Sequence, residues 1–228
     1  AACPHVSDRM QAVCGAMQTF LESSPLPSYN FQANEGLWRG LTVRQSIRRG
    51  TVLAMVVGTP AGYDPAVFEK EKARLVECLS PVASCIFFMV GDGRPSTNGR
   101  EQVELLSGDD YIIEELFGLQ FQISPTSFFQ TNTLGTEVLY KTVLELADAQ
   151  PHSTVLDVCC GTGTIGICCA KMSKAKAVIG VEVCAPAVAC AKVNAQMNGI
   201  GNTKFICSRA ELVLKTLLDK YADEDAGA

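Results

Sequence analysis

The sequence predicts an α/β protein: a Rossmann-like domain built on a parallel sheet, preceded by a smaller α+β subdomain. Three observations predict it. From Val155 onward, apolar runs of strand length alternate with helical stretches. The first of those strands ends in a glycine-rich turn, Asp157-Val158-Cys159-Cys160-Gly161-Thr162-Gly163. The first half instead mixes helices with strands joined by short turns, the pattern of a sheet that is not uniformly parallel.

Taken in order, Val6, Met10, Val13, Met17 and Phe20-Leu21 recur at near-helical spacing, and Ser24-Pro25-Leu26-Pro27 ends that first helix. Leu41-Thr42-Val43 and the run from Thr51 to Val57 read as antiparallel strands joined by the turn Arg48-Arg49-Gly50. Residues 65–79 read as a helix, 82–90 as a strongly apolar strand and 91–99 as a loop. Strands at 111–113 and 119–123 complete the first part, and the division is placed at Ser124, giving 1–123 and 124–228. A helix over 133–146 opens the second part, with Leu134, Val138, Leu139, Val143 and Leu146 expected to face a core. Strands at 155–159, 177–181 and 203–207 then alternate with helices at 164–171, 185–198 and 209–221, a doubly wound sheet in progress. The polar run 222–228 stands where a fourth strand is expected, so the domain reads as incomplete at its C-terminus.

Composition narrows the function. Of the 228 residues 47% are hydrophobic, enough for a substantial core, and no apolar run reaches the ~18 residues of a membrane span. The start, Ala1-Ala2-Cys3-Pro4-His5, lacks the basic-then-apolar pattern of a secretory signal, so none is expected. Eleven cysteines lie mostly within apolar strands and helices, as in Cys159-Cys160, Cys168-Cys169, Cys184 and Cys190, and read as reduced core residues of an intracellular protein. With two histidines far apart and no C-x-x-C pair, no metal is expected.

The net charge of −5 argues against a sequence-independent nucleic-acid binder. One local patch runs the other way. Arg39, Arg44, Arg48 and Arg49 fall between Asn30 and Pro60 with Glu35 as the only acid, near Phe31 and Trp38. Such a patch suits phosphate contacts and base stacking; the pattern equally suits a solvated strand edge protected by charge.

The glycine-rich turn carries the chemistry. Gly161 and Gly163 let the backbone turn tightly and approach a ligand, and Asp157 supplies a carboxylate at the strand's end. Glu182 closes the next strand about 20 residues on, where an acid grips both hydroxyls of a ribose. This reads as a site for S-adenosylmethionine in preference to a nicotinamide dinucleotide; glycines that only permit tight packing are the remaining alternative.

Four motifs, in this combination and order, resemble the uracil-5 methyltransferases of RNA. They are Ser124-Pro125-x-x-Phe128-Phe129-Gln130-x-Asn132, Asp157-Val158-Cys159-Cys160-Gly161-Thr162-Gly163-Thr164, Gly180-Val181-Glu182 and Asn194-Ala195-Gln196-x-Asn198. The resemblance implies a class I methyltransferase domain, S-adenosyl-L-methionine as cofactor, tRNA as partner, and transfer of a methyl group to uridine C5, in the T-loop. It implies a cytoplasmic location, with the nucleus left open. It implies that Gln130 contacts the cofactor beside the target base, that Cys159 and Thr164 flank the adenosyl group, that Glu182 holds the ribose, and that Arg209-Ala210-Glu211 approaches the adenine. On their own terms Gln130 also suits a helix cap and Cys159 ordinary strand packing.

The family's nucleophile is a cysteine in a Ser-Cys-Asn-Pro stretch, beyond an Asp-Pro-Pro-Arg motif. It attacks C6 of uracil so that C5 can take the methyl group, and a glutamate later removes the C5 proton. These 228 residues contain neither motif: Ser84-Cys85 runs into Ile86, and Cys184 precedes Ala185-Pro186. No catalytic residue is therefore assigned. The expectation is a family member cut after its third Rossmann strand, holding the cofactor-binding and RNA-facing parts; the alternative is a non-catalytic RNA-binding or interaction module.

Overall fold

The computed structural model describes residues 6–91 and 102–225, with side chains to 217. The loop expected over 91–99 therefore lies, beyond Gly91, outside the described residues. The chain forms two compact units: residues up to 113 with 124–126 in the first, and 114–123 with 127 onward in the second. The sequence division at Ser124 differs from this by one hairpin.

In the first unit, helix α1 (Asp8–Ser23) starts where the Ser7 hydroxyl accepts a hydrogen bond from the Met10 N–H. Helix α2 (Pro65–Leu79) starts at Asp64, whose carboxylate accepts from Ala66 and Val67, with Pro65 in the first turn. Strands β1 (Trp38–Gln45), β2 (Val52–Gly58), β3 (Cys85–Val90) and β4 (Gln102–Ser107) form one sheet in that order. The β1–β2 and β3–β4 pairs are antiparallel, whereas β2 and β3 run parallel because α2 carries the chain back between them. Every residue of β2 is buried, as its unbroken apolar run requires of a strand covered on both faces. β4 was not foreseen from the sequence: Gln-Val-Glu-Leu-Leu-Ser lacks a clean alternation, and it sits half-exposed at the sheet edge behind a register shift.

Val13, Met17 and Phe20 of α1, Phe68, Leu75 and Leu79 of α2, and the inward residues of β2 and β3 share one core with Trp38. Trp38 packs edge-on against Phe20 at 5.1 Å and donates its indole N–H to Ser24 Oγ at 3.2 Å. Ser24 in turn donates to the buried Glu71 carboxylate at 2.8 Å, which Arg74 grips at 2.8 and 2.9 Å. A buried acid is tolerable here because it is both ion-paired and hydrogen-bonded.

The second unit opens with the hairpin of β5 (Ile112–Leu116) and β6 (Leu119–Ile123), most of which belongs here. Its two-residue turn places both Phe117 (φ 53) and Gly118 (φ 76) in the left-handed region, as a type I′ turn demands. Helix α3 (Thr133–Ala147) follows. Then come β7 (Thr154–Val158), α4 (Thr164–Met172), β8 (Ala177–Glu182), α5 (Ala185–Met197), β9 (Thr203–Cys207) and α6 (Ala210–Asp225). The three strands are parallel in the order β7-β8-β9. Leu116, Leu119 and Phe121 of the hairpin pack with Tyr140, Ile167, Cys168, Val188 and Phe205.

One expectation for α3 is corrected. Leu134, Val138, Leu139 and Leu146 are exposed, and the buried face carries Thr133, Thr136 and Tyr140. The polar stripe goes inward because it has partners: Thr133 Oγ1 donates to the buried Glu114 at 2.9 Å, and the Tyr140 hydroxyl meets Thr164 Oγ1 at 2.8 Å. Among the described residues no helix is long and apolar enough to cross a membrane.

Candidate functional site

The C-terminal ends of β7, β8 and β9 meet at a cleft of roughly 430 Å³, a size in the range of small-ligand pockets. It lies between Cys159 of the first loop, Val181, Glu182 and Val183 of the second, and Ser208 to Glu211 of the third. Ligands of open parallel sheets bind at this end because the crossover helices leave their loops and N-termini there.

The first loop is built to turn hard. Cys159 (φ 61), Gly161 (φ 54) and Gly163 (φ 79) all adopt left-handed backbone, and Gly163 begins α4 without any side-chain cap. Cys159 is exposed and lines the cleft, which corrects its reading as ordinary strand packing: the chain has already left the sheet. The buried thiol is instead Cys160, which burial pushes up to about 12, with the charges of Asp157 and Glu182 adding to the effect. Cys168 is likewise raised to about 12 by burial. Neither is available as a thiolate at neutral pH.

Glu182 ties the first and second loops together. One carboxylate oxygen accepts from the Gly161 N–H at 3.0 Å and the other from the Cys184 N–H at 2.9 Å. Each oxygen retains acceptor capacity for a further donor. Asp157 points elsewhere. It accepts from the Gly166 N–H at 2.8 Å and so closes the first turn of α4 from the neighbouring strand. Burial raises its carboxyl to about 6, against the hydrogen bond from Gly166, and the Glu182 charge raises it further. Gly180 is demanded by packing: a Cβ there would lie 2.5 Å from the Phe205 ring and 2.8 Å from Cys160 Sγ.

Of the residues singled out in the sequence, Cys159, Gly161, Gly163 and Glu182 converge on this loop system. Thr164 stands at the start of α4, its hydroxyl engaged by Tyr140. Gln130 lies in the segment between β6 and α3 and does not cap the helix; that role belongs to Asn132, whose side chain accepts from the Gly135 N–H at 2.9 Å. The neighbouring Phe128 is 73% exposed while Phe129 turns inward, a distinction that two adjacent apolar residues conceal in the sequence. Asn194 and Asn198, noted in the sequence only as part of a family motif, have a bracing role that the sequence left unassigned. Asn194 accepts from the Gln122 N–H at 2.9 Å and donates to Thr162 O at 3.1 Å, and Asn198 exchanges two hydrogen bonds with Gln120 at 2.8 and 2.6 Å. These amides serve the open edge of β6 as another strand would, and they brace the glycine loop.

The four arginines stand in different surroundings. Arg39 and Arg44 lie on the edge strand β1, Arg48 and Arg49 on the exposed turn that follows it. The Arg39 guanidinium stacks 3.6 Å above the Tyr29 ring. Arg44 is largely withdrawn from water, which lowers its pKa, and its Nε is buried without a hydrogen-bond partner among the described residues. Trp38 is only 4% exposed, so its expected role in base stacking is corrected: it is a core residue. Among the described residues no group of three or more His, Cys, Asp or Glu side chains is placed to hold a metal ion.

Comparison with known proteins bears on the fold. The methyltransferase small domain family matches residues 124–221. Human tRNA (uracil-5-)-methyltransferase homolog A is 39% identical over 96% of this chain, and zebrafish homolog B is 35% identical over 96%. The chain spans 36% and 46% of their respective lengths. The crystal structure of Pyrococcus abyssi tRNA (uracil-54, C5)-methyltransferase with S-adenosyl-L-homocysteine superposes with a TM-score of 0.69 at 22% identity, covering 90% of this chain and 47% of that one. The fold is that of the S-adenosylmethionine-dependent methyltransferases with an N-terminal subdomain, and nearly the whole chain is similar to about a third of the length of human tRNA (uracil-5-)-methyltransferase homolog A.

Proposed function

We propose that this chain supplies the cofactor-binding and RNA-facing parts of an enzyme that methylates uridine C5 in tRNA, in the T-loop. The observation that carries the cofactor half is Glu182, held by two backbone N–H groups with acceptor capacity still facing the cleft. That arrangement suits the paired hydroxyls of a ribose. S-adenosyl-L-methionine supplies an electrophilic methyl group; the chain's own residues bind and orient it. Gly161 and Gly163 keep the first loop clear for close approach, Cys159 and Ser208 border the cleft, and the short polar run Arg209-Ala210-Glu211 forms its far wall. Gln130 and the exposed ring of Phe128 stand on one short segment and are assigned to the cofactor and the target base. The site of action proposed is the cytoplasm, with the nucleus as a second location.

Arg48 and Arg49, exposed on their turn, are assigned to phosphates together with Arg39, whereas Arg44 is too desolvated to serve equally. The test is binding of a tRNA transcript by the wild-type chain and by the double variant Arg48→Glu/Arg49→Glu across a salt titration. The variant should bind tRNA more weakly and with a shallower salt dependence, because fewer counterions are released, while its affinity for S-adenosyl-L-homocysteine stays unchanged. Equal tRNA binding at every salt concentration would return these arginines to a solvated edge.

A further inference from the structure

The loop before β1 holds an aromatic ring in water. Phe31 is 82% exposed, yet the segment around it is fixed at many points. Asn30 and Glu35 pair across the loop, with N–H to oxygen distances of 2.7 and 3.3 Å, and Tyr29 N–H reaches Trp38 O at 2.9 Å. The Asn30 side chain accepts from the N–H groups of Gln32 and Ala33 at 2.9 and 3.2 Å, and the Tyr29 hydroxyl bonds the Asn34 side chain. Gly36 (φ 115) lies so close to the opposing strand that a Cβ would stand 2.4 Å from Ser28 O. Trp38 anchors the whole loop in the core.

The ring is also composed with its neighbours. Phe31 meets Tyr29 edge to face, with centroids 4.9 Å apart and planes at 83°, and Tyr29 carries the Arg39 guanidinium 3.6 Å from its centroid. A rigid, exposed aromatic with a stacked cation beside it is the construction on which nucleic-acid bases stack. The rim decides between a base and a protein partner. Asn30, Gln32, Asn34 and Glu35 are the ring's neighbours in the loop, and Ala33 is the only aliphatic residue from Ser28 to Gly36. An aromatic anchor for a protein partner is ringed by apolar groups that keep water out; amides instead match the edges of an unpaired base.

We infer that Tyr29, Phe31 and Arg39 form a stacking platform for an unpaired base of the RNA substrate, separate from the cofactor cleft. The inference rests on the tRNA reading above. Its test is fluorescence anisotropy of a labelled tRNA transcript with the wild-type chain, Phe31→Ala and Phe31→Trp. Phe31 makes no core contact to lose, so both variants should fold as the wild type. Phe31→Ala should weaken binding by about 5- to 150-fold, with the slope against salt unchanged, because stacking releases no counterions. Phe31→Trp should bind as the wild type does, and its indole emission should be quenched as tRNA saturates it. Undiminished binding by Phe31→Ala, or unquenched emission from a tRNA-bound Phe31→Trp, would overturn the platform and leave the tRNA reading intact. Failure of the folded wild-type chain to bind tRNA would remove that reading and the platform with it.

Discussion

Replacing Glu182 by alanine separates the two tasks its carboxylate performs. In the free protein it satisfies the N–H groups of Gly161 and Cys184 at 3.0 and 2.9 Å; both are near the surface, so water replaces the lost acceptor at a cost of about 1 kcal/mol each. In the complex it would accept two further hydrogen bonds from the ribose. Charge-assisted bonds are worth about 1.5–3 kcal/mol each, and with partial compensation by water the net loss should be about 2–4 kcal/mol, a factor of roughly 30 to 1000 in affinity. Glu182→Gln should fall between, since its amide keeps one acceptor oxygen but turns a donor toward one of the two N–H groups. Calorimetric titration with S-adenosyl-L-homocysteine measures the loss of affinity, and thermal unfolding without ligand measures the cost in the free protein. An unchanged dissociation constant in a folded Glu182→Ala would refute the ribose assignment, whatever happened to stability.

Three further outcomes are expected. Gly180→Ala should destabilise the second unit by about 1–3 kcal/mol in denaturant unfolding, because its Cβ would overlap the Phe205 ring and Cys160 Sγ, both locked in the core; wild-type stability would show that β8 and β9 can part. Asp157 has a folded pKa of about 6 against 3.8. Between those values the folded state therefore binds more protons than the unfolded one, so this group's contribution falls as pH rises through the window, by about 3 kcal/mol in all. Unfolding of the wild type and Asp157→Asn from pH 3.5 to 7 should show that difference appear only in the wild type, and parallel curves would contradict it. Incubation with 5-fluorouracil-substituted tRNA and S-adenosyl-L-methionine should trap no covalent adduct on this chain, whose Cys85, Cys160 and Cys168 are buried with raised pKa values. An adduct lost on substitution of any cysteine here would identify a nucleophile within these residues.

The strands and helices of the second unit were legible because their apolar runs are continuous, and α2 because Asp64-Pro65 and Leu79-Ser80 mark its ends. Side-chain direction was less so. The apolar residues of α3 suggested a buried stripe, yet Thr133 and Tyr140 take the inner face through partners, Glu114 and Thr164, that lie far off in sequence. Trp38 beside four arginines suggested a stacking surface, and the core network of Ser24 and Glu71 that claims it has no local signature. The acids divide similarly: Asp157 and Glu182 both end strands, but only the second reaches the cleft, because Gly166 draws the first toward α4. The preference for a methyl donor read from the first loop is not warranted by spacing, since Gly161, Gly163 and Gly166 also satisfy G-x-G-x-x-G. The methyl-donor assignment rests on the surrounding motifs and on the similarity to methyltransferases.

That assignment is tested most directly by titrating the 228-residue chain, shown by circular dichroism to be folded, with S-adenosyl-L-homocysteine and separately with NADH. The account predicts saturable one-to-one binding of S-adenosyl-L-homocysteine and none of NADH. Binding of NADH with S-adenosyl-L-homocysteine unable to displace it, or no binding of S-adenosyl-L-homocysteine at all, would contradict it.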